Sequence, residues 1–231
     1  MIASDMVILC LDTTTSNMQM GLTRGAELIA RVNAPCDSHR YHSALMIPAI
    51  DDMLKGAALT AKDLTALAVN AGPGSFTGIR TGIITARTMA QFLELPVYLF
   101  NHFELLAVGA EAPTAVYLDA LRGRAYHTVL SFGGSAPVYH APLGLSQLDG
   151  DGGFRASPVL EGLQYLVSPS LASFFSDKAT RLIAPDFFTP AAMMSLIGRY
   201  GDLYAKKWRE VRPLYLQEPS ITLRKTSPVA G

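Results

Sequence analysis

Cysteine is scarce in this chain, and neither sign of charge is in excess. Only Cys10 and Cys36 occur among 231 residues, which argues against a disulfide framework and favours two free thiols in a reducing compartment. Lys and Arg together number 19, and so do Asp and Glu, so the formal net charge is zero. A chain without net positive charge has no overall electrostatic basis for holding an RNA backbone by itself.

Long apolar runs are also missing. The first apolar stretch, residues 6–11, is far shorter than the roughly 20 residues of a membrane-spanning helix, and no basic leader region precedes it. Hydrophobic residues make up 49% of the chain and charged residues 16%, which is enough apolar material for the core of one large or two small domains. We therefore expect a folded cytoplasmic protein that has no membrane anchor.

The most informative stretch is a glycine-rich loop between a predicted strand and a predicted helix. Residues 64–69 have the pattern of a short buried strand, and from Ile79 to residue 93 apolar side chains recur every three or four positions. Gly72, Gly74 and Ser75 lie between these two elements. Two interpretations stay open, a tight strand-to-helix turn and an anion-binding helix N-terminus that would hold a phosphate.

Standard motifs do not fit this loop. The spacing of Gly72, Gly74 and Gly78 is not G-x-G-x-x-G, and no lysine follows Gly78 as a Walker A loop requires. A nucleophile elbow around Ser75 would need glycine where Pro73 and Thr77 stand. The bare pattern is therefore only moderately specific.

The full string from Gly72 to Arg80, G-P-G-S-F-T-G-I-R, resembles the signature of the TsaB (YeaZ) family, whose members take part in tRNA threonylcarbamoyladenosine synthesis in bacteria. Residues 6–15 are similar to the opening strand and turn of actin-like proteins. The resemblance is dense from Val7 to about Leu106 and thin in most of the second half, except in the tail at residues 213–216. It implies an α/β protein with two actin-like (ASKHA, ribonuclease H-like) lobes, each a mixed sheet that contains a β-meander, with flanking helices.

The order of predicted elements agrees with this duplication. The first lobe, residues 1–110, should hold a three-stranded meander, a helix at 38–55, the strand and helix around the glycine loop, a strand at 97–100 and a short helix capped by Asn101 and Glu104. The second lobe, residues 111–231, is predicted to be a reduced copy. It should have strands at 114–119, 125–132 and 138–141, a helix from Thr189 to about residue 207, and a closing strand at 211–216.

The turn after the first strand carries further candidate phosphate ligands, Asp12, Thr13 and Thr14. In nucleotide-binding proteins that this segment resembles, the carboxylate positions Mg²⁺ and the hydroxyl groups contact phosphates. The same residues are also ordinary turn residues that cap nearby backbone N–H groups. We expect no cofactor, and at most weak binding of ATP or ADP with Mg²⁺ at an interface shared with a partner.

Two histidines near the start of the first predicted helix, His39 and His42, could share a metal ion. The related transferase binds its metal through two histidines spaced four apart and a distant carboxylate. The spacing here is three, and the shorter chain has little room for the third ligand. We therefore predict no metal site and no catalytic residues.

The helix predicted at 38–55 is apolar nearly all round, and such a helix is either buried in a core or lies at an interface. A lobe of about a hundred residues has little capacity to bury it completely, so we expect part of it to meet a partner, together with the helix that follows the glycine loop. The candidate interface residues are Leu45, Met46, Ile50, Met53, Ile83 and Arg87.

The resemblance implies a non-catalytic scaffold subunit that binds and activates a TsaD-like transferase, with a TsaE-like small ATPase as a further partner. The transferase moves a threonylcarbamoyl group to N6 of the adenosine next to the anticodon, in tRNAs that read codons beginning with A. The chain is expected to contact tRNA only through the complex and to form homodimers when alone. Two alternatives stay open, an ATP-dependent kinase of the same fold and a metallopeptidase.

Overall fold

The structure is a computed structural model that describes residues 2–35, 39–148, 160–175, 180–184 and 186–217. Eleven strands lie in these ranges: β1 (Val7–Asp12), β2 (Asn17–Arg24), β3 (Glu27–Pro35), β4 (Ala66–Asn70), β5 (Val97–Phe100), β6 (Thr114–Asp119), β7 (Arg124–Gly133), β8 (Ala136–Gln147), β9 (Gln164–Val167), β10 (Thr180–Leu182) and β11 (Ala205–Lys206). Four helices accompany them: α1 (His39–Gly56), α2 (Phe76–Leu93), α3 (His102–Ala107) and α4 (Thr189–Tyr204). Cys36 lies outside the described residues.

The strands form two sheets with the same plan. The first has the order β11-β5-β4-β1-β2-β3, and the second has the order β10-β9-β6-β7-β8. In each sheet the first three strands are an antiparallel meander, and two later strands pair in parallel beside the meander's first strand. The predicted class, two α/β lobes that each contain a β-meander in a mixed sheet, is confirmed.

Strand β1 shows why the first sheet is buried on both faces. Val7, Leu9 and Leu11 join the core that contains α1 and α2, whereas Ile8 and Cys10 join the core on the other face with α4. Because successive side chains of a strand point to opposite faces, a strand that is covered on both sides needs apolar residues at every position. The continuous apolar run of β1 therefore follows from its place between the two cores.

A second sheet begins at β6, but the chain does not stay in the second lobe. Helix α4 packs on β1, β2 and β5, and β11 pairs with the edge of β5, so both belong to the first lobe. The side chain of Gln19 stabilises the segment that leads back into the first lobe. It donates to the carbonyl of Phe187 and accepts from the N–H and hydroxyl of Thr189. The predicted second lobe, residues 111–231, is therefore too long.

The predicted closing strand at 211–216 is wrong, because this segment is irregular. Pro213 has no N–H to donate to a ladder, and Leu214 makes one bond into the first lobe, from its N–H to the carbonyl of Ala71. The predicted short helix is confirmed, with Asn101 accepting from the N–H of Glu104. No helix in the described ranges is long and apolar enough to cross a membrane.

Candidate functional site

The turn after β1 is held by a buried carboxylate. Asp12, which is 1% exposed, accepts through Oδ1 from the N–H of Thr14 at 2.8 Å and from its hydroxyl at 2.7 Å. Its Oδ2 accepts from Nδ2 of Asn70 at 2.9 Å. Three donors thus satisfy the carboxylate and join the end of β1 to the end of β4. These three bonds fix the conformation of the turn.

The glycine-rich loop lies directly on this turn. A Cβ on Gly78 would overlap the carbonyl oxygen of Thr13, and one on Gly74 would overlap that of Thr14. The contact is fixed by the hydroxyl of Thr13, which donates to the carbonyl of Gly78 at 2.7 Å, and by the N–H of Ser75, which donates to the carbonyl of Thr14 at 2.7 Å. Close packing between β1 and the start of α2 therefore explains both glycines.

The N–H groups of Gly72, Ser75 and Gly78 in this loop are used inside the protein. Those of Gly72 and Gly78 donate to Oδ1 of Asn70 and Oγ of Ser75, and Ser75 is the N-cap of α2. The structure brings the six predicted phosphate ligands together, namely Asp12, Thr13, Thr14, Gly72, Gly74 and Ser75. The bonds among them form a tight strand-to-helix turn.

A cleft of about 1090 Å³ lies between the lobes, in front of this turn. The first lobe contributes Thr14, the start of α2 and His102, and the second contributes Asp119 and the segment that follows β9. Of the described residues that line the cleft, Asp119 is the only acidic one, and none is lysine or arginine. Phosphates placed in this cleft would meet no described cationic side chain.

Two cleft residues were not singled out from the sequence. Asp119 ends β6 as Asp12 ends β1, and it accepts from the N–H of Leu121 and the hydroxyl of Ser170, each at 2.7 Å. His102 is 6% exposed, and its Nδ1 lies 3.2 Å from the carbonyl oxygen of Pro73. The repeated meander could have indicated Asp119, but nothing local in the sequence places His102 against the glycine loop.

The predicted interface residues fall into two groups. Met46, Ile50, Met53 and Ile83 are at most 6% exposed and pack in the core under α1 and α2. A partner could not reach them, so the prediction that these four residues lie at an interface is wrong. The six-stranded sheet and residues 205–217, the tail that returns to the first lobe, cover more of these two helices than a lobe ending at residue 110 could. Leu45 is 40% exposed, and Arg87 is half-buried.

Other apolar side chains of the same two helices are exposed. Ile47 on α1 is 56% exposed, and Ile84 and Phe92 on α2 are 61% and 80% exposed. We call these three residues, together with Leu45, the α1–α2 ridge. The side chains of His39 and His42 lie outside the described part of the chain, and the described residues contain no group of three or more His, Cys, Asp or Glu side chains that could hold a metal ion.

A second buried carboxylate connects the lobes. Glu104 on α3 accepts from the hydroxyl of Tyr139 on β8 at 2.6 Å, and Nδ2 of Asn101 donates to the same hydroxyl at 2.6 Å. Burial raises the pKa of Glu104 above its ordinary value, and the hydrogen bonds from Tyr139 and Asn101 oppose this only in part. The folded protein therefore favours the protonated form of Glu104 more than the unfolded chain does.

This shift predicts a pH dependence of stability. Between the ordinary pKa of 4.5 and the raised one, the folded state binds more protons than the unfolded state, so stability falls as pH rises through this window. Glu104→Gln keeps an acceptor for Tyr139 but cannot ionise. We expect the thermal midpoint of the wild type to fall relative to that of Glu104→Gln as pH rises from 4 to 8. A difference between the two proteins that is independent of pH would contradict this assignment.

Comparison with known proteins gives a consistent result for the first half of the chain. Residues 32–136 match the TsaD family model, described as tRNA N6-adenosine threonylcarbamoyltransferase. The chain is 31% identical over 124 residues to the tRNA threonylcarbamoyladenosine biosynthesis protein TsaB of Bacillus subtilis, covering 52% of this chain and 53% of that protein. It is 33% identical over 126 residues to the protein of the same name from Escherichia coli, with the same two coverages. The chain thus matches these curated relatives over about half of their length.

Among solved structures, YeaZ from Pseudomonas aeruginosa superposes on 91% of this chain and on 100% of its own, with a TM-score of 0.74 and 19% sequence identity. At this identity the likeness shows the fold. It covers more of this chain than the sequence matches do.

Proposed function

We propose that the protein is a non-catalytic scaffold subunit in the formation of threonylcarbamoyladenosine in tRNA. Its similarity to TsaB proteins, which confirms the predicted resemblance, supports this role. In this proposal a TsaD-like transferase carries out the chemistry at N6 of the adenosine next to the anticodon. The chain binds and activates the transferase in the cytoplasm, a TsaE-like ATPase drives cycling of the assembly, and the chain pairs with itself when the transferase is absent.

The α1–α2 ridge is the observation that carries this proposal. Four apolar side chains on these two helices are 40% to 80% exposed, and exposed apolar surface is typical of a protein–protein contact. The two helices pack on each other, so the surface is carried by a rigid part of the first lobe. The ridge lies within residues 32–136, which match the TsaD family model.

The kinase alternative has no observation in its favour. Mg²⁺ coordination by Asp12 would compete with three hydrogen bonds that hold the turn together. The cleft offers phosphates no cationic side chain from the described residues. We therefore propose that any ATP or ADP binding by the isolated chain is weak and not catalytic. Nothing in the described structure favours a metallopeptidase.

The ridge is tested by placing a charge on it. We expect Ile84→Glu and Phe92→Glu each to weaken association with the transferase at least about 30-fold, because the partner's apolar side chains would have to bury an unpaired carboxylate. Both side chains are exposed, so the thermal midpoint should change by no more than about 2 °C. Calorimetry measures association with the transferase, and sedimentation of the chain alone measures its self-association.

Val138→Glu provides the matched control, because Val138 is 49% exposed on β8, in the other lobe. It should bind the transferase as the wild type does. Normal binding by both ridge variants, or equal loss in the control, would show that the ridge is not the partner surface.

A further inference from the structure

We propose that the first lobe carries a second interaction surface, a strip of basic side chains along α2 that binds the phosphate backbone of single-stranded or loop RNA. The strip consists of Arg80 on α2 and of Lys207, Arg209 and Arg212 in the returning tail. All four side chains are exposed. The proposal concerns this chain alone and does not rest on its role as a scaffold.

The tail brings these charges together by running along α2. It begins at β11, which pairs with Val97 and Tyr98 just beyond the C-terminal end of α2. The turn Trp208–Glu210 then contacts α2, and Tyr215 reaches Arg80 near the helix N-terminus, where the guanidinium Nε donates to its hydroxyl at 3.1 Å. An 18-residue helix is about 27 Å long, so the charges follow a line of about that length.

The tail's apolar residues force its charged residues outward. Trp208, Val211 and Leu214, which are spaced three apart, pack into the core beneath α2, and Val211 is fully buried. The side chains between these anchors, including Lys207, Arg209 and Arg212, are left to face solvent. An anchor every third residue thus fixes the path of the tail along α2 and leaves the cations exposed.

The strip's cations are not neutralised by neighbouring carboxylates. The salt bridge found within the described residues joins Lys55 and Asp51 on α1, and none involves the strip. Residues 205–217 contain one acidic residue, Glu210, whose carboxylate accepts from the backbone N–H of Lys207 at 3.0 Å and offsets one of the positive charges. The zero net charge of the whole chain therefore hides a local excess of positive charge, which the expectation from composition overlooked.

An aromatic group at one end of the strip favours RNA over other polyanions. The rings of Phe76 and Tyr215 lie 4.7 Å apart, and the guanidinium of Arg80 lies 4.1 Å from the centre of the Phe76 ring. Tyr215 is 38% exposed, so part of its ring is open to a further flat group. A line of cations that ends in aromatic rings can track a backbone and stack a base.

An anionic membrane is less well matched. Binding to a lipid surface needs apolar side chains that enter the acyl boundary next to the cations. The apolar residues of the tail are its anchors, and they point into the core of the lobe. The tail itself therefore offers a membrane charge without insertion, and the exposed apolar side chains of α2, Ile84 and Phe92, belong to the α1–α2 ridge.

The test measures binding of a fluorescent single-stranded RNA of about 16 nucleotides to the full chain by anisotropy. With four phosphate contacts the affinity should fall about 50-fold when salt rises from about 50 to about 200 mM. Lys207→Gln/Arg209→Gln/Arg212→Gln should weaken binding about 100-fold at about 100 mM salt and flatten the salt dependence. Tyr215→Leu should weaken it about tenfold, and Tyr215→Phe, which keeps the ring, should restore most of this loss.

A triple variant with the same loss of charge elsewhere, Lys62→Gln/Arg122→Gln/Arg181→Gln, is the control and should bind as the wild type does. Absence of binding at about 50 mM salt, or equal losses in both triple variants, would overturn the proposal. It would also fall if vesicles of anionic phospholipid bind equally tightly and with the same dependence on the strip. Transferase binding measured on the same variants is expected to be unchanged, which separates this surface from the α1–α2 ridge.

Discussion

Met46→Glu is expected to unfold the first lobe and not merely to break an interface. Met46 is 1% exposed in the core that α1 and α2 form with the first sheet. A carboxylate at this position would be buried without a partner, which costs several kcal/mol. For a chain of this size each kcal/mol lowers the thermal midpoint by about 2–4 °C, so a fall of at least about 10 °C is expected.

Met46→Leu is the control for this position. It conserves side-chain volume and should cost less than about 1.5 kcal/mol. Thermal unfolding followed by circular dichroism measures both variants. If Met46→Glu kept the wild-type midpoint and lost only partner binding, Met46 would lie at an interface, as the apolar pattern of its helix allows, and its burial in the core would be wrong.

Among the described glycines, Gly78 should be the most damaging one to replace with alanine. The added Cβ would overlap the carbonyl oxygen of Thr13, which is backbone and cannot rotate away. The start of α2 would have to move away from the turn after β1. This movement would break the bond from the Thr13 hydroxyl to the Gly78 carbonyl and strain the Ser75 cap. We expect a loss of about 3–5 kcal/mol in the free energy of unfolding.

Gly198→Ala tests whether this loss comes from the contact and not from glycine replacement in general. Gly198 is exposed within α4, and a Cβ there would lie 3.8 Å from its nearest neighbour, Cδ1 of Ile2. Alanine in an open helical position should be neutral or stabilise by up to about 1 kcal/mol. Urea unfolding of both variants measures the difference. Similar stabilities for Gly78→Ala and the wild type would mean that α2 is not packed against the turn as described.

The secondary structure of the first lobe was largely predictable, because local patterns decide it. The apolar run before the glycine loop and the repeat after Ile79 gave strand β4 and helix α2, and Asn101 with Glu104 gave the start of α3. These signals depend on residues within a few positions of each other, and such patterns survive in a single sequence.

Which apolar face meets which partner could not be predicted in the same way. The composition of α1 shows that much of its surface is apolar, but only the path of the tail decides how much of it the lobe covers. Val211 and Leu214 join that core from far along the chain, and periodicity carries no information about such contacts. The same limit applies to His102, which reaches the glycine loop through the fold.

Formation of threonylcarbamoyladenosine in a reconstituted reaction tests the scaffold claim most directly. The reaction contains tRNA, threonylcarbamoyl-adenylate and the transferase, with the wild-type chain, Ile84→Glu or no added chain, and the modified nucleoside is quantified after digestion of the tRNA. We predict modification with the wild type, and little or none with Ile84→Glu or without the chain. Equal modification in the absence of the chain, or full activity of an Ile84→Glu variant that no longer binds the transferase, would contradict the account.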